Sequence, residues 1–189
     1  MSSLEQANPE MPREEKLVRA LKLCASFARN LVYYRVGRRK EHLHLLDLTK
    51  TESAHFWRLV NGNCLDMCVL EWCKLFQERE KHYWGNIVTD AASFKEGLLS
   101  HLGLDDNAFQ KEIDSMGEYR DKWVAHQDLK RCGCYPNLDV PKEAVWFYYA
   151  YIVNQGVNPV ALGLPVDLDA GYKQEEGMAK AVYQRSASV

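Results

Sequence analysis

The chain has no excess of basic charge, no apolar run long enough to span a membrane, no internal repeat and no stretch of strand-like alternation. Lysine and arginine number 24 against 26 Asp and Glu, a formal net charge of -2. Without a global basic excess, any contact with nucleic acid has to come from a local patch. The missing apolar run argues against membrane insertion. The N-terminal stretch MSSLEQANPEMPREEK is polar and acidic, unlike a secretory signal or an Arg-rich transit peptide, so the expected location is cytoplasmic. What is present is an ordinary globular mix, 47% apolar and 26% charged over 189 residues. That is room for one domain with a sizeable core. Residues 1–12, with two prolines, read as a flexible tail, and residues 13–185 as a single helical domain.

The six cysteines lack the paired CxxC spacing of a zinc site. Cys24, Cys64, Cys68 and Cys73 sit in apolar segments, whereas Cys132 and Cys134 flank Gly133 in a turn. The expectation is reduced thiols used as small hydrophobes, with no metal and no cofactor.

Helical periodicity dominates. Leu17, Leu21, Cys24, Ala28 and Leu31 recur at steps of four and three, and the stripe runs out near Gly37 in the basic run Arg35 to Lys40. A second long helix is expected after Thr49, with Thr49 and Glu52 at capping-box spacing and Trp57, Val60, Cys64, Cys68, Trp72 and Leu75 on one face. Residues 77–86 read as a loop. Thr89 or Asp90 caps a short third helix that Gly103 stops. Asp105 caps a fourth through Phe109, Ile113, Met116 and Trp123. Pro141 suits the first turn of a fifth. A last amphipathic helix carries Met178, Val182 and Tyr183 despite Gly171 and Gly177. The expected architecture is all-α, a bundle of four to six helices.

The chemically informative segment is Glu118-Tyr119-Arg120-Asp121-Lys122-Trp123-Val124-Ala125-His126-Gln127-Asp128. On a wheel centred on Met116, Arg120 falls at roughly 40°, inside the apolar stripe. A guanidinium stays charged, so something must face it: a carboxylate, a wet pocket, a phosphate or a subunit boundary. His126 lies about 9 Å further along and roughly 120° around, if the helix continues. Twofold pairing of this helix with its copy would gather two Arg and two His.

The run RDKWVAH resembles the R-x(4–6)-H motif of the HEPN superfamily (higher eukaryotes and prokaryotes nucleotide-binding domain). Phe56-Trp57 followed by Leu65 to Phe76 is similar to the second long helix of its abortive-infection U-type branch, and the likeness spans about residues 13 to 155. The resemblance implies a dimeric helical bundle with the motifs facing each other. It also implies metal-independent endoribonuclease activity in a toxin or antiphage effector, with RNA as substrate and a separate antitoxin protein as partner. On that resemblance Arg120 holds the scissile phosphate. His126 is the general base or acid, and an imidazole suits either task near neutrality. Asp121 orients Arg120 or His126. Close in sequence to the motif, Lys122, Lys130 and Arg131 are placed to reach RNA, and Tyr119, Trp123 and the His82-Tyr83-Trp84 loop are candidates to stack on bases.

Blander readings stand beside these. Arg120 could pair with Glu71 on the apolar face of the second helix, in a buried structural pair whose loss costs several kcal/mol. His126 could cap a helix C-terminus. Asp121 could be a solvated charge, Trp123 a core residue, and the run Arg35 to Lys40 a solvated loop. A non-catalytic module binding a nucleotide, RNA or protein through the same residues is the alternative to an enzyme.

Overall fold

In the computed structural model, which describes residues 11–49, 52–78, 82–125 and 135–187, the N-terminal stripe forms helix α1, Arg13–Gly37. Leu17, Leu21, Cys24, Phe27, Ala28 and Leu31 are all buried on its inner face. Glu14 and Glu15 in the first turn suit the positive end of the helix dipole. Helix α2, Ala54–Phe76, lies antiparallel to α1. Ascending positions on α1 meet descending ones on α2: Phe27 O accepts from the Cys68 thiol at 3.7 Å, and Tyr34 O from Asn61 Nδ2 at 3.0 Å.

Four more helices close around this pair. They are α3, Ala91–Leu102; α4, Asp106–Tyr119; α5, Asp139–Asn154; and α6, Leu168–Ala187. Short 3-10 turns stand at Lys40–Leu46, Trp84–Asn86 and Val160–Leu162. No strand occurs among the described residues, so the chain is all-α. No described helix is long and apolar enough to cross a membrane.

Several local expectations hold because they rest on bonds three residues apart. Asp90 accepts the Ser93 amide at 3.0 Å, and Asp105 the Ala108 amide at 2.7 Å, each starting a helix. Gly103 takes φ 64° and ends α3. The capping box at Thr49 does not form. The Thr49 amide and hydroxyl instead turn back onto Asp47, at 3.0 and 2.7 Å, and α2 starts later, at Ala54. In α6, Ala179 and Tyr183 face inward, and Met178 and Val182 are exposed. Residues 1–10 of the expected tail lie outside the described residues.

The main core is aromatic. Trp72 stacks on Phe76 at 5.0 Å between ring centres, and Phe94 meets Tyr148 edge-on at 5.3 Å. Trp84 is buried against Phe94, so it is not available to stack on a base. A smaller cluster of Val32, Val36, Leu45, Leu46, Trp57, Ala179 and Tyr183 fastens the 3-10 segment and α6 to the α1–α2 pair. There His42 is buried, bonded through Nδ1 to Val36 O at 2.9 Å and stacked on Tyr183.

At Gly37 this cluster leaves no room for a side chain. A Cβ there would lie 2.5 Å from the Tyr183 hydroxyl and 2.6 Å from Asn61 Nδ2, both anchored by bonds to α1 carbonyls. Gly117 also crowds a neighbour, but only the free end of the Gln77 side chain. Gly37→Ala should therefore cost about 1–3 kcal/mol in urea unfolding, and Gly117→Ala distinctly less; equal losses would refute the role given to the Tyr183–Asn61 contact.

Candidate active site

The α-helical part of α4 ends at Tyr119, and the chain continues without a break into a π-helical turn, Arg120–Ala125. Such a turn holds one residue more than an α-turn and is often found at functional sites. The extra residue rotates the later positions by about 100° relative to a regular helix. Phe109 and Met116 are accordingly buried, whereas Trp123 is only partly buried and stands outside the core. Backbone room for the junction comes from Gly117, packed against Gln77 at the end of α2.

Arg120 lies between α4 and the C-terminal end of α2. Its Nη1 donates to Glu78 at 2.9 Å and its Nε to Asp121, also at 2.9 Å. The side chain is 22% exposed, Glu78 35% and Asp121 61%. The bond to Asp121 raises the Arg120 pKa further above its ordinary value. This is a guanidinium at the edge of the core, reached by solvent and flanked by two carboxylates. Lys122 pairs with Glu118 one turn back and is exposed. Next to Arg120, the Tyr119 hydroxyl donates to Asp66 Oδ1 on α2 at 3.0 Å.

The Arg120–Glu71 pair is not formed. Glu71 faces α1, where it accepts the Ser26 hydroxyl and, at 3.4 Å, Asn30 Nδ2. It is 3% exposed, and burial pushes its carboxyl pKa upward. The partner of Arg120 is Glu78, two turns further along the chain, which wheel arithmetic on α2 does not single out. His126, Lys130, Arg131, Cys132 and Cys134 lie outside the described residues.

Burial raises the pKa of all four described thiols; Cys73, close enough to feel the Arg120 charge, is still pushed up to about 12. Protonated thiols are poor nucleophiles and poor metal ligands. Among the described residues no group of three His, Cys, Asp or Glu side chains is placed to hold a metal ion. A separate cleft of about 360 Å³ opens between α1, α6 and the preceding loop, floored by Ala28, Leu168 and Tyr172, with Arg29 and Glu175 paired at 3.2 Å on its rim. None of the motif residues lines it.

No protein-family model, curated protein or solved structure matches this chain.

These contacts lead to two testable outcomes. Arg120 is partly solvated and its carboxylates more so, hence Arg120→Ala should lower stability by less than about 1 kcal/mol in urea unfolding. A loss of several kcal/mol would make Arg120 a structural residue. Glu71, protonated where a free carboxyl is ionised, takes up a proton on folding. Stability should therefore fall as pH rises from the ordinary 4.5 through the raised value. Glu71→Gln should flatten that slope in melting curves recorded from about pH 4 to about pH 8. A wild-type stability that rises across the same window would contradict the upward shift that burial gives Glu71.

Proposed function

We propose that this chain is a metal-independent endoribonuclease of the HEPN type, acting as a homodimer. The observation that supports this reading best is Arg120 itself. It is a solvent-reachable guanidinium at the first position of a π-helical turn, with Asp121 bonded to its Nε and no described partner for Nη2. A phosphate oxygen can bond to that edge and exchange with Glu78 at the other terminal nitrogen.

The chemistry is transesterification. The ribose 2′-oxygen bonds to phosphorus as the bond from phosphorus to the 5′-oxygen breaks. The 2′-hydroxyl proton passes to one imidazole acting as base, and the departing 5′-oxygen takes a proton from an acid. In the proposed dimer the two His126 side chains share these tasks, and Arg120 stabilises charge gathering on the phosphoryl oxygens. The products are a 2′,3′-cyclic phosphate and a 5′-hydroxyl. The biological setting that fits is a toxin or antiphage effector restrained by a separate antitoxin protein.

One observation favours a second reading, a non-catalytic module of the same fold. Arg120 already has two carboxylate partners, which would weaken its hold on a developing negative charge.

Cleavage of labelled structured RNA in excess EDTA separates the two. The enzyme reading expects cleavage by wild type with a cyclic phosphate end, and near-complete loss in folded His126→Ala and Arg120→Ala proteins. Binding without cleavage across several RNAs would establish the second reading. Equal cleavage by wild type and His126→Ala would remove His126 from the chemistry.

A further inference from the structure

Across Tyr119 from Arg120 lies a cluster that the motif does not include. Tyr34 and Arg38 are one turn apart at the C-terminal end of α1, so they share a face. The Arg38 guanidinium sits over the Tyr135 ring, 5.1 Å from its centre, within cation–π range. Arg35 reaches past it to Asp139, at 2.5 Å, in the first turn of α5. The Tyr34, Tyr119 and Tyr135 phenols are near enough to influence one another electrostatically, and Tyr34 feels both Arg38 and Arg35. Tyr119 joins this cluster to the adjacent Arg120.

Ordinary packing does not account for the exposed part. Tyr135 leaves 54% of its surface in solvent although the Arg38 guanidinium sits over its ring. Arg38 is exposed too, and besides the Tyr135 ring and the nearby Tyr34 phenol it meets no carboxylate among the described residues. A ring whose one face carries a guanidinium with no carboxylate partner among the described residues, and whose other face is left for stacking, matches one nucleotide of an unpaired strand. The ring offers a surface for a base, and the guanidinium takes the phosphate next to it. A duplex presents its phosphates but keeps its base faces stacked inside, so it can use only half of this surface.

We propose that Tyr135 and Arg38, supported by Tyr34 and Arg35, form a stacking platform for single-stranded RNA that leads past Tyr119 to Arg120. The proposal rests on the nuclease reading for its direction along the strand, and not for binding itself. It assigns the chain a single-stranded substrate, with one base held on Tyr135 outside the scissile step.

The test uses the full-length protein and a fluorescein-labelled 2′-O-methyl oligouridylate, which lacks the 2′-hydroxyl needed for cleavage. Fluorescence anisotropy compares that strand with its duplex. The expected result is preference for the single strand, with about tenfold weaker binding by Tyr135→Ser, as for loss of one stacked base. Tyr135→Trp should keep the affinity, because it keeps the aromatic face. Arg38→Ala should weaken binding and lower the salt slope by about 1, the signature of one lost phosphate contact. Melting curves on the same variants should stay near wild type, since both side chains are exposed.

Unchanged affinity in Tyr135→Ser and Arg38→Ala would overturn the platform and leave cleavage at Arg120 untouched. Equal loss in Tyr135→Trp and Tyr135→Ser would also overturn it, because only stacking distinguishes those two. No binding of any single strand by wild type would overturn it outright. The nuclease reading can fail separately: platform-dependent binding without cleavage of ordinary RNA would sink the enzyme and keep the platform.

Discussion

The antiparallel contact between α1 and α2 is the constraint on which everything else depends. Neither helix can bury its apolar face alone, and each covers the other along most of its length. Several polar groups caught in the seam are met by bonds rather than by exposure. Glu71 is met by Ser26 and Asn30, Asn61 by backbone oxygens of α1, and the Cys68 thiol by Phe27 O. A buried acceptor or donor left unmet would cost as much as several buried methylenes return, so these bonds set the register of the pair. With the register set, the C-terminal ends of the two helices are fixed in space. The end of α2 supplies Glu78 to Arg120, and the end of α1 supplies Arg35 and Arg38 to the segment before α5.

The second consequence concerns α4. Its buried stripe keeps to the ordinary helical period as far as Met116, and its aromatic and aliphatic side chains fit against Trp72 and Phe76. A regular helix would then turn the next residues of the stripe, Arg120 and Trp123, into the same apolar seam. The π-helical turn avoids that outcome. One extra residue per turn moves Trp123 outward; Arg120, at the first position of that turn, stays at the margin of the stripe, where two carboxylates and solvent share its charge. A guanidinium deeper in the seam would lose its hydration without gaining enough partners.

The sequence makes legible those parts of the molecule whose cause is local. Asp90, Asp105 and Gly103 act through bonds or dihedral angles within a few residues, and each does what its position suggests. The inner face of α1 comes from spacing alone. Thr49 departs from its expected role because its competitor, Asp47, lies on the other side of it, and a hydroxyl that can bond backwards is lost to capping. The exposed positions of Met178 and Val182 depend on which side of α6 meets the smaller cluster, and hydrophobicity does not encode that. At the site, a charge needing a partner can be inferred from Arg120, but not which partner. Glu71 and Glu78 are seven residues apart, a spacing that would put them on one face of a continuous helix. Glu71 stays within α2 and faces Ser26 and Asn30 on α1, whereas Glu78 lies two residues beyond the helix end at Phe76, where the chain leaves the helical period and the carboxylate can meet Arg120.

The electrostatics at Arg120 also bear on how an anion could be held there. Glu78, Asp121 and Arg120 together carry a net negative charge, so a phosphate approaching this point alone would be repelled by the two acids as much as drawn by the guanidinium. The end of α1 offers a different balance, because Arg35 is met by a described carboxylate and Arg38 is not. A strand laid across both places would gain its affinity at Arg38 and Tyr135 and bring its next phosphates past Arg120 at high effective concentration. Exchange of Glu78 for a phosphoryl oxygen then becomes a local rearrangement within a bound strand rather than a bimolecular capture. Under the proposed chemistry this would divide the work: the exposed platform would hold the substrate, and Arg120 would act on the charge building on the phosphoryl oxygens once a phosphate has displaced Glu78. A cation that binds the ground state weakly and the transition state more strongly is the arrangement that raises a rate rather than only an affinity.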